Sequence, residues 1–148
     1  MMIYSPLRSF GLVFGQFTCL GAIAFSGPLL PPSPILLALL ISGIGLGLWA
    51  LLTMGLHRLS VLPDPLLRTE LVNTGPYRLI RHPMYASLLL VTLAWVLAAP
   101  VLWRWAVWVL LLLVLIAKLQ YEERLLRTRF PSYSEYQQRS WRLVPLLW

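Results

Sequence analysis

The chain has 148 residues, of which 59% are hydrophobic and 11% charged, with a formal net charge of +7. A soluble domain is nearer half apolar and about a quarter charged, so this composition excludes an ordinary soluble globule and describes an integral membrane protein. A single cysteine, Cys19, excludes an internal disulfide, and with His57 and His82 it leaves too few ligands for a zinc or iron site.

The length fits one unit, residues 1–148, and is too short for two domains. The basic residues flank apolar spans instead of forming one face interleaved with aromatics. They therefore read as membrane topology, and no nucleic-acid partner is expected. Residues 9–27 carry no charge and end at Gly27-Pro28, followed by Pro31-Pro32-Ser33-Pro34. Arg8 in front and the Ala22-Ile23-Ala24 triplet imitate a cleaved signal peptide, but further spans follow, and the stretch is expected to be the first transmembrane helix. Residues 35–56 form a second uncharged run, ample for the roughly 30 Å hydrocarbon core. Gly43, Gly45 and Gly47 within it follow no strand, so they read as a close-packing helix face and not as a phosphate loop.

Residues 57–82 are polar and turn-rich, with Arg58, Arg68, Arg78 and Arg81. A segment of that length with little helix is uncommon unless it has a function. Its end, Gly75-Pro76-Tyr77-Arg78-Leu79-Ile80-Arg81-His82-Pro83-Met84-Tyr85, concentrates polar and aromatic groups between apolar runs. Pro83 lacks a backbone donor and pushes His82 out of helical geometry, so the next helix is expected to begin at Pro83. His82 and Tyr85 then stand at a helix N-terminus, a natural meeting point for a polar ligand.

Residues 84–99 and 101–117 are apolar and divided by Pro100, which predicts a hairpin of two short spans. Trp103, Trp105 and Trp108 around Arg104 read as an interfacial belt, with the arginine snorkelling to water. From Lys118 the helix is expected to leave the bilayer through residue 130, with Glu122 turned inward and Glu123 pairing with Arg127 on the wet face. The last residues mix aromatics with arginines and read as an amphipathic piece on the membrane. The 57–82 loop and the tail hold most of the basic residues, so both termini and that loop are expected in the cytoplasm. The predicted fold is thus an all-α integral membrane protein of about four transmembrane helices. A cytosolic loop and a C-terminal helical extension, residues 69–85 and 118–130, form its site.

Two of these segments resemble the isoprenylcysteine carboxyl methyltransferase family and, more loosely, the phospholipid N-methyltransferases. The matching residues are Leu71-Val72-Asn73-Thr74-Gly75-Pro76-Tyr77, Arg81-His82-Pro83-Met84-Tyr85 and Glu122-Glu123-Arg124-Leu125-Leu126. Phe130, Tyr133, Tyr136 and Val144-Pro145 also fit the family's tail. The resemblance covers about the C-terminal half. It implies an S-adenosylmethionine-dependent methyltransferase acting on a lipophilic acceptor, a small molecule or lipid, and a carboxylate by the nearer likeness. It implies cofactor binding by Glu70, Leu71, Val72, Tyr77, His82, Pro83, Met84, Tyr85 and Glu122. Lys118, with Arg81, falls where an acceptor would be held. Lys118 stands where the carboxyl methyltransferases have an arginine, and Ser87 where they have a glycine. Lysine keeps the charge but forms no bidentate grip on a carboxylate. The alternatives are phospholipid or amine N-methylation, a non-catalytic protein retaining the scaffold, and a relation to membrane sterol reductases, for which no dinucleotide fingerprint is present.

Overall fold

The computed structural model describes residues 6–55 and 71–145, and among these the protein is all-helical. The elements are α1 (Pro6–Ala24), α2 (Pro34–Met54), a 3-10 turn (Gly75–Arg78), α3 (Pro83–Ala98), α4 (Leu102–Arg129) and α5 (Tyr133–Gln138). Prolines set the boundaries as their missing N–H requires: Pro34 and Pro83 open α2 and α3, and Pro100 separates α3 from α4.

α1, α2 and α4 are each long and apolar enough to cross a membrane. α3 has 16 residues, about 24 Å of rise, less than the roughly 30 Å hydrocarbon core. α4 is one unbroken helix of 28 residues, about 42 Å, so the apolar run and the polar extension beyond Lys118 share an axis. Large apolar side chains on the outer faces, such as Phe14 (74% exposed) and Leu52 (78% exposed), have no protein to bury against, as expected of surfaces solvated by lipid.

The helices pair mainly as α2 with α3 and α1 with α4, and α3 also meets α4. Glycines bring α2 and α3 together. A Cβ at Gly43 would lie 2.9 Å from Val91, and one at Gly47 would lie 2.5 Å from Ser87 Oγ. Ser87 donates to the Gly43 carbonyl oxygen at 2.7 Å and so ties α3 to the backbone of α2. Cys19, Ile23, Val96, Leu111 and Leu115 form the apolar core between α1, α3 and α4.

Arg104 corrects one expectation. It does not reach water: it is 1% exposed, and its guanidinium donates to the carbonyls of Ile23 and Ala99, each at 3.1 Å. These carbonyls end α1 and α3, where no further helical N–H is available to them. The arginine thus ties two helix ends, and Gly27 leaves room for it, since a Cβ there would stand 2.4 Å from its Nη1.

The tail corrects another. It does not lie apart as an amphipathic surface piece but folds back on the segment before α3. Arg81 N donates to Trp141 O at 2.7 Å, His82 N to Arg142 O at 3.1 Å, and Trp141 N to Leu79 O at 2.9 Å. An isolated parallel bridge joins Ile80 to Trp141. Tyr133 and Leu143 are buried beneath it.

Candidate active site

His82 is the residue just before α3, and Pro83 occupies its first turn. The His82 ring stacks on Tyr85, with centroids 5.2 Å apart and planes 5° from parallel. Tyr85 Oη donates to Glu122 Oε2 at 2.8 Å, and His82 Nδ1 lies 3.8 Å from the same oxygen. The hairpin therefore sets the polar end of α4 against the start of α3, and Glu122 is buried there.

Glu123 departs from the expected wet-face pairing. It is 2% exposed and accepts from Arg81 Nε at 2.8 Å and from Gln137 Nε2 at 3.2 Å. Arg142 Nε stands 3.5 Å away. Arg127 bonds instead to Gln137 Oε1 at 3.0 Å. Burial of a carboxylate requires such partners. Two successive acids both face inward because Glu122 meets α3 while Glu123 meets the folded-back tail, a surface that helical periodicity does not reveal. Arg81, given an acceptor-binding place from the sequence, also donates through Nη1 to the carbonyls of Gln137 and Ser140. Its guanidinium holds the tail, and Arg81 also lines the cavity beside this corner.

A cavity of about 360 Å³ opens beside this corner, within the range of about 300–1,000 Å³ usual for small-molecule sites. Tyr77, His82, Pro83, Met84, Tyr85, Lys118 and Glu122 all line it, and α1 and α2 contribute Gln16 and Gly47. Lys118 is 3% exposed; its Nζ donates to Gln16 Oε1 at 2.7 Å and sits 5.3 Å from the Tyr85 ring centroid. Leu71 and Val72 line a smaller adjoining compartment with Tyr133 and Tyr136. Glu70 lies outside the described residues. Tyr136 Oη donates to Tyr77 O at 2.5 Å, fixing the tail over the 3-10 turn. Burial, with Glu123 nearby, pushes the Tyr133 phenol above its ordinary pKa and keeps it protonated.

A family model described as phospholipid methyltransferase matches residues 35–132, from α2 to just short of α5. The chain belongs to that family. No curated protein matches it. Membership of the phospholipid methyltransferase family makes this a membrane methyltransferase, for which S-adenosylmethionine is the usual donor. The residues present fit such a donor: buried Glu122 beside a cationic amino group, tyrosine faces for a sulfonium or adenine, and unpartnered buried atoms at His82 Nε2 and Tyr133 Oη.

Sequence reasoning missed the roles of three residues of this candidate site. Gln16 carried a signal, since a carboxamide inside an uncharged span is costly and marks a partner. Tyr133 and Glu123 belong to the stretches that carry the resemblance, but their inward placement left no periodic signal, because their environment comes from the tail folding back.

Proposed function

We propose that the protein transfers the methyl group of S-adenosylmethionine to a lipophilic acceptor in the membrane. The observation that supports this reading is the placement of Glu122, His82, Tyr85 and Lys118 around one cavity bounded by apolar helices. When bound, the donor supplies an electrophilic methyl on a sulfonium. Glu122 neutralises its amino group, Tyr77 and Tyr85 offer ring faces to its cationic and aromatic parts, and Leu71 and Val72 cover it. Much of the acceleration of an in-line displacement comes from orienting the two reactants, and this is the task of a buried, water-poor site.

Lys118 holds the acceptor through an anionic group, with Gln16 orienting its ammonium. Arg81 acts as a positioning residue through Glu123 and the tail. A carboxylate acceptor is already nucleophilic and needs no base, which favours carboxyl methylation. The family match favours the second reading, N-methylation of a phospholipid amine, in which Lys118 meets the phosphate. By the positive-inside rule, the basic residues of the loop and tail favour a cytoplasmic site with both termini on that side.

The test incubates the purified protein in lipid with radiolabelled S-adenosylmethionine and a membrane extract. Label entering extractable lipid that mild base releases as volatile methanol identifies a methyl ester; base-stable label identifies an N-methyl amine. Transfer to water-soluble acceptors as fast as to lipophilic ones, or no transfer at all, contradicts the proposal.

A further inference from the structure

A second groove, of about 420 Å³, lies between α1 and α4 and shares no lining residue with the main cavity. Arg8, Gly11 and Leu12 border it from α1, and Ala117, Gln120 and Arg124 from α4. Both sets recur at three- and four-residue intervals, so each forms one stripe along its helix. Gly11 and Ala117 are small and exposed, and a Cβ at Gly11 would meet nothing within 4 Å, so this part of the groove opens to the surrounding lipid. The groove also crosses the polarity boundary of both helices. Arg8 precedes the uncharged residues 9–27, while Gln120 and Arg124 follow the uncharged residues 105–117. Its apolar end therefore lies at acyl-chain depth and its cationic end at headgroup level.

Arg8 and Arg124 are exposed, and neither makes a hydrogen bond or ion pair among the described residues. No acid among those residues lines the groove: Tyr121 does, but the next two residues of α4, Glu122 and Glu123, turn to Tyr85 and to Arg81. Two unbalanced cations at one opening favour an anion between them, and basic pockets between membrane helices take anionic headgroups. We propose that this groove binds an anionic phospholipid, its phosphate held by Arg8 and Arg124 and one acyl chain laid over Gly11 and Ala117. The guanidinium fork matches phosphate oxygens. The apolar half of the groove favours a lipid over free phosphate, and a zwitterionic headgroup would bring its own cation to the arginines. In this role the lipid is not the methyl acceptor. It braces α1 against α4, the two helices whose Gln16–Lys118 bond borders the main cavity. The inference is independent of the methyl-donor reading.

The experiment titrates the full-length protein in detergent with phosphatidylglycerol and with phosphatidylcholine, and counts bound lipid by native mass spectrometry. Wild type is expected to hold one phosphatidylglycerol at least about fivefold more tightly than phosphatidylcholine, and Arg8→Gln or Arg124→Gln to weaken it about fivefold each, the scale of one basic residue at an anionic membrane surface. Arg129→Gln makes the same change in net charge on an exposed residue outside the groove and stays within about twofold. Gly11→Leu keeps every charge but fills the groove, so it also weakens phosphatidylglycerol. Its melting temperature in lipid-free detergent is not lowered, because the new side chain enters open space and leucine favours the helix. Phosphatidylcholine bound as tightly as phosphatidylglycerol, or Gly11→Leu protein that binds like wild type, overturns the site. Equal weakening by Arg129→Gln reduces the effect to net charge and overturns it as well. Inorganic phosphate that raises the melting temperature of delipidated protein as much as phosphatidylglycerol does overturns the lipid and leaves a phosphate site.

Discussion

Tyr85 Oη and Glu122 Oε2 are joined by a 2.8 Å hydrogen bond across 37 positions of sequence. The bond connects the first turn of α3 to the polar extension of α4, and both partners face the main cavity. A phenol donating to a buried carboxylate fixes the acid's orientation and lowers the cost of its charge.

Glu122→Gln keeps the shape of that contact and removes the charge. S-adenosylmethionine affinity, measured by calorimetry, is expected to fall at least about tenfold, in line with a lost charge-assisted bond. Tyr85→Phe weakens binding less, because the carboxylate remains. Equal affinity in Glu122→Gln and wild type contradicts the role given to this acid.

Gln16 is the hydrogen-bond partner of the Lys118 ammonium deep between α1 and α4. Gln16→Leu leaves that donor without its amide and is expected to destabilise the protein by about 1.5–3 kcal/mol, read from unfolding in mixed micelles. Adding Lys118→Met recovers part of the loss, since two apolar groups then meet. Strict additivity of the two changes would show that the residues do not act as a pair.

Arg104 ties the ends of α1 and α3 on the far side of the bundle from Glu122. The Ile23 carbonyl keeps Ser26 and the Ala99 carbonyl keeps Val101 as donors, so Arg104→Ala removes two charge-assisted bonds without orphaning either oxygen and is expected to cost about 1–3 kcal/mol in all. Gly27→Ala is expected to act in the same direction, because its methyl would occupy the guanidinium's place. Melting temperatures of both variants should drop, and a Gly27→Ala protein as stable as wild type contradicts this account.

Gly47 and Ser87 meet in the contact between α2 and α3 beside the cavity. Gly47→Ala alone forces the serine hydroxyl aside and is expected to cost about 1–3 kcal/mol, as overpacking does. Ser87→Gly makes the space, so the double variant should recover most of the loss. Failure of that rescue in the same unfolding assay would place the strain elsewhere.

Hydrophobic run lengths and prolines determined a great deal about this protein. They marked the helices to within a few residues, the start of α3 at Pro83, the glycine face of α2 and the membrane environment, because each depends on local chain chemistry. The polar stretch before Tyr85 and the Glu122-Glu123 pair were legible as unusual for the same reason: few polar groups occur beside apolar spans. Tertiary structure alone decided what those groups touch. Glu123 meets Arg81 and the tail, Arg104 turns inward to helix-end carbonyls, Gln16 finds Lys118 across 102 positions, and Tyr133 closes the site. Such pairings depend on how separate segments fold back on one another, and a hydrogen bond between distant positions leaves no periodicity in the chain to read.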